Sequence, residues 1–216
     1  VPAAYSYAEG AAFGAAYLTA YVSLVRRARI EAGETLLVHG ASGGVGMATI
    51  EVGKLLGATV IATTGRDSKM DAIRQAGADH VLNLRDGFRE QVKELTDGRG
   101  ADVIFDPIGG DVFDESTRCI AFDGRLLVIG FMSGRIAEIK TNIPLIKGFS
   151  VAGVRAGEYG RRFPEKGREN MAQVQAWAED GLIRPRIHAE LSLDEAAKGL
   201  GMLTGRDVIG KIVLTT

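Results

Sequence analysis

The sequence predicts an α/β fold, a doubly wound parallel sheet with helices on both faces. Three observations predict it. Short, near-continuous runs of Val, Ile and Leu recur along the chain, amphipathic helical stretches separate them, and a glycine-rich turn, Ala41-Ser42-Gly43-Gly44-Val45-Gly46, joins the first run to the helix after it. Strands apolar throughout, rather than alternating, are buried on both faces, as in a parallel sheet with helical crossovers.

The elements follow in order. "SYAEGAAFGAAYLTAYVSLVRRARIEAGE" reads as helical, opened by a capping box of Ser6 with Glu9 three residues on. Gly14 is expected to split it into two helices and Gly33 to stop the second. "TLLVHG" is a strand, and "VGMATIEVGKLLGA" a helix with Ala48, Val52 and Leu55 on one side. "TVIATT", "HVLNL", "ADVIFDPIGG" and "GRLLVIGF" are further strands, the third running into a turn. The helices "DSKMDAIRQAG", "GFREQVKELTDG" and "DVFDESTRCIAF" lie between them. "AEIKT" and "FSVAGV" read as two strands beyond this core set, with a helical turn near "NIPLIKG" between them. "RENMAQVQAWAEDGLI" is an amphipathic helix. "SLDEAAKGLGMLTGR" is another, with a second capping box (Ser192, Glu195), and "VIGKIVLT" is the last strand. "AGEYGRRFPEKGRE" reads as the most polar irregular stretch. There is no internal repeat and no Pro- or Ser-rich linker, so residues 1–216 are read as one domain.

Composition bounds the function. The chain has 216 residues, 46% hydrophobic and 25% charged, with a formal net charge of -1. That balance suits a globular protein and argues against a general nucleic-acid or membrane-surface binder. No apolar run approaches the ~18 residues of a membrane span. There is no signal-peptide pattern, and Cys119 is alone, so no disulfide framework exists. A reducing cytoplasm is the natural expectation. The chain starts at Val1 without Met, which fits either processing or excision from something longer.

The glycine turn carries the first functional reading. A Rossmann dinucleotide fingerprint is G-x-G-x-x-G between a strand and a helix. Its second and third glycines fall on Gly43 and Gly46, and Ala41 replaces the first. Gly43 would let the backbone approach a pyrophosphate, and Gly46 would let the helix pack closely on the strand. The amides of Gly44 and Val45 would face the phosphates where the helix dipole favours negative charge. A lone glycine pattern is weak and also describes a ligand-free turn; the flanking strand, helix and βαβ continuation add the weight. No Gly-Lys-Ser/Thr follows, so this is not a P-loop.

The end of the second strand selects the nucleotide. An NAD-selective fold places a carboxylate there for the ribose 2′-hydroxyl. Here the tip is Thr63-Thr64, followed by Gly65, Arg66, Asp67, Ser68 and Lys69. Cations and hydroxyls suit a 2′-phosphate, so NADP(H) is the expected cofactor. Asp67 stands at about the spacing of the acid, 20 residues past Gly46. It is read instead as an N-cap of the next helix. The plain alternative for Arg66 and Lys69 is a solvated helix start.

"LLVHGASGGVGMATIEVGKLLGATVIATTG", "AGADHVLN", "GADVIFDPIGG", "GRLLVIGFMSG" and "SLDEAAKGLGMLTGRDVIGKIVL" resemble the quinone oxidoreductase (zeta-crystallin-like) branch of the zinc-independent medium-chain dehydrogenase/reductases. The resemblance spans essentially the whole chain. It implies an NADP(H)-binding domain of an oxidoreductase that transfers hydride between NADPH and a quinone or activated enone. It also implies an N-terminal barrel-like catalytic domain outside this chain, with segments 1–33 and 190–216 adjoining it. By motif, Ser42, Gly43, Gly44, Val45 and Gly46 would hold the pyrophosphate. Thr64, Gly65, Arg66, Ser68 and Lys69 would hold the adenosine ribose and 2′-phosphate. Pro107, Ile108, Gly109, Ile129, Gly130 and Phe131 would line the nicotinamide side, and Arg206 would add a second phosphate-side contact. One departure is visible: Asn83-Leu84-Arg85 stands where many relatives carry Tyr, which puts adenine stacking there in doubt. An edge strand within "GRIAEIKTNIPLIKGFSVAGV" is expected to pair with its copy in a homodimer.

No catalytic constellation stands out. There is no Tyr-x-x-x-Lys and no G-x-S-x-G. His39, His80 and His188 are scattered without ligand spacing, so no metal site is expected. His39 reads as a self-satisfied strand-end residue and His80 as surface. The five tyrosines read as packing residues. Asp106 is a tempting base at a strand end but reads better as a turn former before Pro107. Close relatives in the superfamily reduce enoyl thioesters, and a non-catalytic nucleotide-binding module is the reading from another class.

Overall fold

The computed structural model describes residues 2–216, and Val1 lies outside the described residues. A six-stranded, all-parallel sheet runs in the order β3-β2-β1-β4-β5-β6. The strands are β1 (Thr35–Val38), β2 (Thr59–Thr64), β3 (His80–Asn83), β4 (Ala101–Asp106), β5 (Ile120–Val128) and β6 (Ser150–Gly153). Strand order reverses between β1 and β4, which is where a doubly wound sheet opens a crevice at its carboxyl edge.

The core explains why the strands read as continuous apolar runs. Leu36, Val38, Val60, Ala62, Val103 and Phe105 face one layer, with Leu24, Ile50, Val52 and Val174 from the helices on that side. Leu37, Ile61, Ile104 and Leu126 face the other, against Phe88, Val92 and Phe113. Successive residues go to opposite faces and both faces are covered, so no position in these strands is polar by requirement. Each fully buried Leu, Ile or Val contributes about 1.5–3 kcal/mol.

The connecting helices are α1 (Tyr7–Tyr21), α2 (Gly44–Leu55), α3 (Met70–Gln75), α4 (Arg89–Leu95), α5 (Gly110–Ser116), α6 (Asn142–Lys147), α7 (Ala156–Arg162), α8 (Pro164–Glu179) and α9 (Ala196–Thr204). Both expected capping boxes form: Ser6 accepts from the Glu9 amide as Glu9 accepts from the Ser6 amide, and Ser192 pairs likewise with Glu195.

Several expectations are corrected. Gly14 does not break α1: nothing crowds that position, and burial of Ala8, Ala12, Phe13, Ala16, Tyr17 and Ala20 outweighs the ~1 kcal/mol helix cost of a glycine. The chain then winds into a π-helical segment, Val22–Ala28, and stops at Arg29 in the left-handed conformation, φ 51°, short of Gly33. Ala48 and Val52 are buried, but Leu55 is 36% exposed. "DVFDESTRCIAF" is helical only to Ser116, and Ile120 already belongs to β5. "AEIKT" is no strand. Ala137 and Ile139 turn inward alternately, giving a strand-like pattern, but the free side of β5 is taken by β6. The supposed irregular stretch 156–169 is helical, with Pro164 opening α8 where its missing amide costs nothing. Tyr7 is 93% exposed, so it is not a packing residue.

A second, two-stranded parallel sheet pairs β7 (Ile187–Ser192) with β8 (Lys211–Thr215). The sequence reading found β8 and missed β7, although "IHAELS" alternates, with Ile187, Ala189 and Leu191 turned inward and His188, Glu190 and Ser192 exposed. The two sheets meet at the glycine turn, where Gly43 bridges Gly210.

The packing of α1 on α2 contains a polar pair, buried Tyr17 with half-buried Glu51. Tyr17 donates to Glu51 at 2.6 Å, and Glu51 also accepts from the Arg184 amide at 3.2 Å. Burial pushes the Glu51 carboxyl above its ordinary pKa, against those two hydrogen bonds. Tyr5, Glu9 and Arg184 are the other ionisable groups around the pair. A raised folded pKa means the protonated carboxyl suits the fold. Its contribution is present below the unfolded pKa and is lost as pH rises through the folded one. Glu51→Gln keeps an acceptor for both donors. It is expected to melt above wild type near pH 7 and to converge with it near pH 4, about the unfolded carboxylate range. A gap independent of pH in scanning calorimetry contradicts this.

Candidate nucleotide site

Every sequence-predicted segment except the Arg206 loop follows the carboxyl end of a strand, and together they form one edge. β1 leads to Gly40–Gly46, β2 to Gly65–Lys69, β4 to Pro107–Gly109 and β5 to Ile129–Phe131. Neighbouring segments touch. The Ala41 amide donates to Thr63 O at 3.3 Å, the Met132 amide to Pro107 O at 3.1 Å, and the Ser133 amide to Ile108 O at 2.9 Å.

The glycine turn has two strict positions. A Cβ on Gly46 would lie 2.4 Å from the Gly40 carbonyl oxygen and 2.7 Å from Ala41 Cα. Gly40 takes φ +60°, and its Cβ would press on Pro107 at 3.1 Å. Gly40 therefore makes the tight turn that the fingerprint assigns to its first glycine. The signal was available as Gly40-x-x-Gly43-x-x-Gly46 but was missed by aligning that glycine with Ala41. Gly43 N-caps α2 with extended backbone, its Cβ position uncrowded. The amides of Gly44, Val45 and Gly46 form the first turn of α2 and have no helical carbonyl to pair with. They form a cradle of donors at a positive helix end. The C-terminal segment borders it: the Gly210 amide donates to Ser42 O at 2.8 Å, and the Lys211 stem lies where a Gly44 Cβ would go, its Cε 2.5 Å from that point.

After β2 the structure places Thr64 and Lys69 as buried, Arg66 as half-buried, and Gly65 and Ser68 as exposed. The Thr64 hydroxyl accepts from the Arg66 amide at 3.3 Å. Lys69 donates to Val208 O at 2.8 Å, and Arg66 pairs with Asp207 at 2.5 Å. Burial, with Arg66 nearby, pulls the Lys69 ammonium below its ordinary pKa. Asp67 is not a side-chain N-cap; it accepts from Asn83 at 2.6 Å. Arg206 is exposed at φ 58°, and it is its neighbours Gly205, Asp207 and Val208 that contact Arg66 and Lys69. Asp207 was missed in the sequence, although an acid beside the singled-out arginine was the available signal.

On the other side of the crevice, Asp106 is 1% exposed and accepts from the amides of Ile108 and Gly109 at 2.8 and 2.9 Å. Its carboxyl is spent on fixing the turn, with Gly109 at φ +70°, and burial raises its pKa. Phe131 is 50% exposed. His39 is fully buried, bonded to Thr63 at 2.8 Å and Ser116 at 2.9 Å, with burial lowering its pKa to about 3. It is a neutral structural residue, and His80 is exposed as expected. Among the described residues, no group of three or more His, Cys, Asp or Glu is placed to hold a metal ion.

The edge fits a dinucleotide: donors at a helix start, and two cations beside a strand end where the carboxylate between them, Asp67, is engaged by Asn83. The comparisons agree with this class. Residues 44–175 match the family described as zinc-binding dehydrogenase. The chain belongs to that family, in its quinone oxidoreductase-like branch of medium-chain dehydrogenase/reductases. It is 36% identical over 218 residues to quinone oxidoreductase-like protein 2 of Bos taurus, covering 100% of this chain and 62% of the relative. A mycobacterial protein solved in complex with NADPH superposes with TM-score 0.93 at 26% identity, covering 100% of this chain and 67% of the other. The JamJ enoyl reductase superposes with TM-score 0.89 at 28% identity, covering 100% and 64%. The chain thus spans about three-fifths of the curated relatives it matches, 60% and 62% of two of them.

Gly46→Ala is expected to cost on the order of 1–3 kcal/mol of stability through overpacking against backbone. Gly43→Ala, with room for its methyl, is expected to leave the melting temperature nearly unchanged. Equal melting temperatures for the two variants contradict the assignment.

Proposed function

We propose that the chain is the NADP(H)-binding part of an oxidoreductase that moves hydride between NADPH and a small quinone or activated enone. The observation that carries this is the pair of cations, Arg66 and Lys69, placed after β2 on the same edge as the first-turn amides of α2. A 2′-phosphate presents charge and acceptors that a guanidinium and an ammonium match, and a plain ribose hydroxyl does not. Ser42–Gly46 would take the pyrophosphate, Thr64–Gly65 with Ser68 the adenosine ribose, and Pro107–Gly109 with Ile129–Phe131 the nicotinamide side. The cofactor supplies the hydride; the protein supplies position and electrostatics. Segments 1–33 and 190–216 would adjoin a catalytic domain that completes the substrate pocket. The likeness to JamJ enoyl reductase supports enoyl thioesters as the second substrate class.

Two further parts belong to the same proposal. β6 is an edge strand, with Val151 38% exposed, and suits pairing with a second copy. Light scattering that shows only monomer at high concentration contradicts that pairing. No helix among the described residues is long and apolar enough to cross a membrane, and the buried free Cys119 suits a reducing cytoplasm.

Lys69→Ala tests the cofactor. Losing a hydrogen bond to a charged group costs roughly 1.5–3 kcal/mol, about tenfold to a hundredfold in affinity. Calorimetry is expected to show that loss for NADPH and little change for NADH; equal losses refute a 2′-phosphate role for Lys69.

A further inference from the structure

We propose that Asp207 is a selectivity determinant: its carboxylate holds the Arg66 guanidinium that a nucleotide 2′-phosphate would take, and so sets how far the chain prefers a phosphorylated ribose. The proposal rests on the cofactor reading above and adds a residue that works against it.

The geometry is a clip. Arg66 Nη1 meets Asp207 Oδ1 at 2.5 Å, and Nη2 donates to Gly205 O at 2.8 Å. Lys69 Nζ donates to Val208 O at 2.8 Å. Both cations after β2 are therefore tied to one stretch, 205–208, far away in sequence. Arg206, at φ 58°, turns the chain within it, and Gly210 beyond it is bonded to Ser42 in the glycine turn.

The two ties differ in kind. Lys69 is bonded to a neutral carbonyl and keeps donors to spare, since an ammonium has three. Arg66 is bonded to an anion. Carboxylate and phosphate compete for the same planar fork, so a 2′-phosphate must displace Asp207 or bind beside its charge. A ribose with a free 2′-hydroxyl meets neither cost. Asp207 therefore weakens the phosphorylated nucleotide and not the plain one, narrowing the preference that Arg66 and Lys69 create. The side chains of Arg66 and Asp207 are 42% and 70% exposed, so water and salt screen the pair.

The test is calorimetric titration with adenosine 2′,5′-bisphosphate and with AMP, which differ by the 2′-phosphate. Asp207→Asn is expected to tighten the bisphosphate about twofold to fivefold, the scale of an exposed charge pair, with AMP unchanged. The gain should shrink as salt is raised. Asp207→Glu, which keeps the charge, should not reproduce it. Unchanged or weaker bisphosphate binding by Asp207→Asn, in a wild type that prefers the bisphosphate through Lys69, overturns the role of Asp207 alone. Equal binding of both probes to wild type, untouched by Lys69→Ala, overturns the 2′-phosphate reading and this proposal with it.

Discussion

A side chain at Gly46 has nowhere to go, because the Gly40 carbonyl oxygen and the Ala41 backbone already fill that space. This contact fixes how closely α2 crosses the end of β1. Because α2 starts at Gly44, the same contact aims the amides of its first turn across the carboxyl edge of the sheet. Gly40, in the left-handed conformation, lies against the Pro107 and Ile108 side chains that follow β4, beside the point where the strand order reverses. Remove the crossing, and both the helix end and the crevice beside it lose their geometry.

Charge then divides the edge. Donor amides and Lys211 surround the glycine turn, while Arg66 and Lys69 mark the end of β2. The carboxylates nearby are each engaged: Asp67 with Asn83, Asp106 with its own turn, and Asp207 with Arg66. Such an arrangement favours an extended polyanion with a negative group at both places. Asp207 pairs directly with a cation of the candidate site and Asp67 does not, so the proposed influence on nucleotide choice falls on Asp207.

Much of this was legible in the sequence because burial on both faces leaves a strong mark. The four inner strands, β2, β1, β4 and β5, and the turn between Ala41 and Gly46 follow from local composition. The Asp106 turn was also readable, since a carboxyl before Pro107 can cap the next amides. What escaped depended on distant partners. β7 pairs with β8 across the intervening helix, and "AEIKT" forms no strand because β6 takes the free side of β5. The helix through Gly14 persists because one face of it, Ala8, Ala12, Phe13, Ala16, Tyr17 and Ala20, is buried. The ties of Arg66 to Asp207 and of Lys69 to Val208 bridge parts of the chain that no local pattern connects.

The central claim is that one continuous edge, from the glycine turn to the end of β2, receives a phosphorylated dinucleotide. Amide-resolved NMR during titration with NADPH tests it most directly. The account predicts that the largest shifts fall on Gly44, Val45, Gly46, Arg66 and Lys69, with the Asp207 amide moving at the same nucleotide concentrations. Shifts confined to residues away from these strand ends, or a glycine turn that does not respond while NADPH binds, would contradict it.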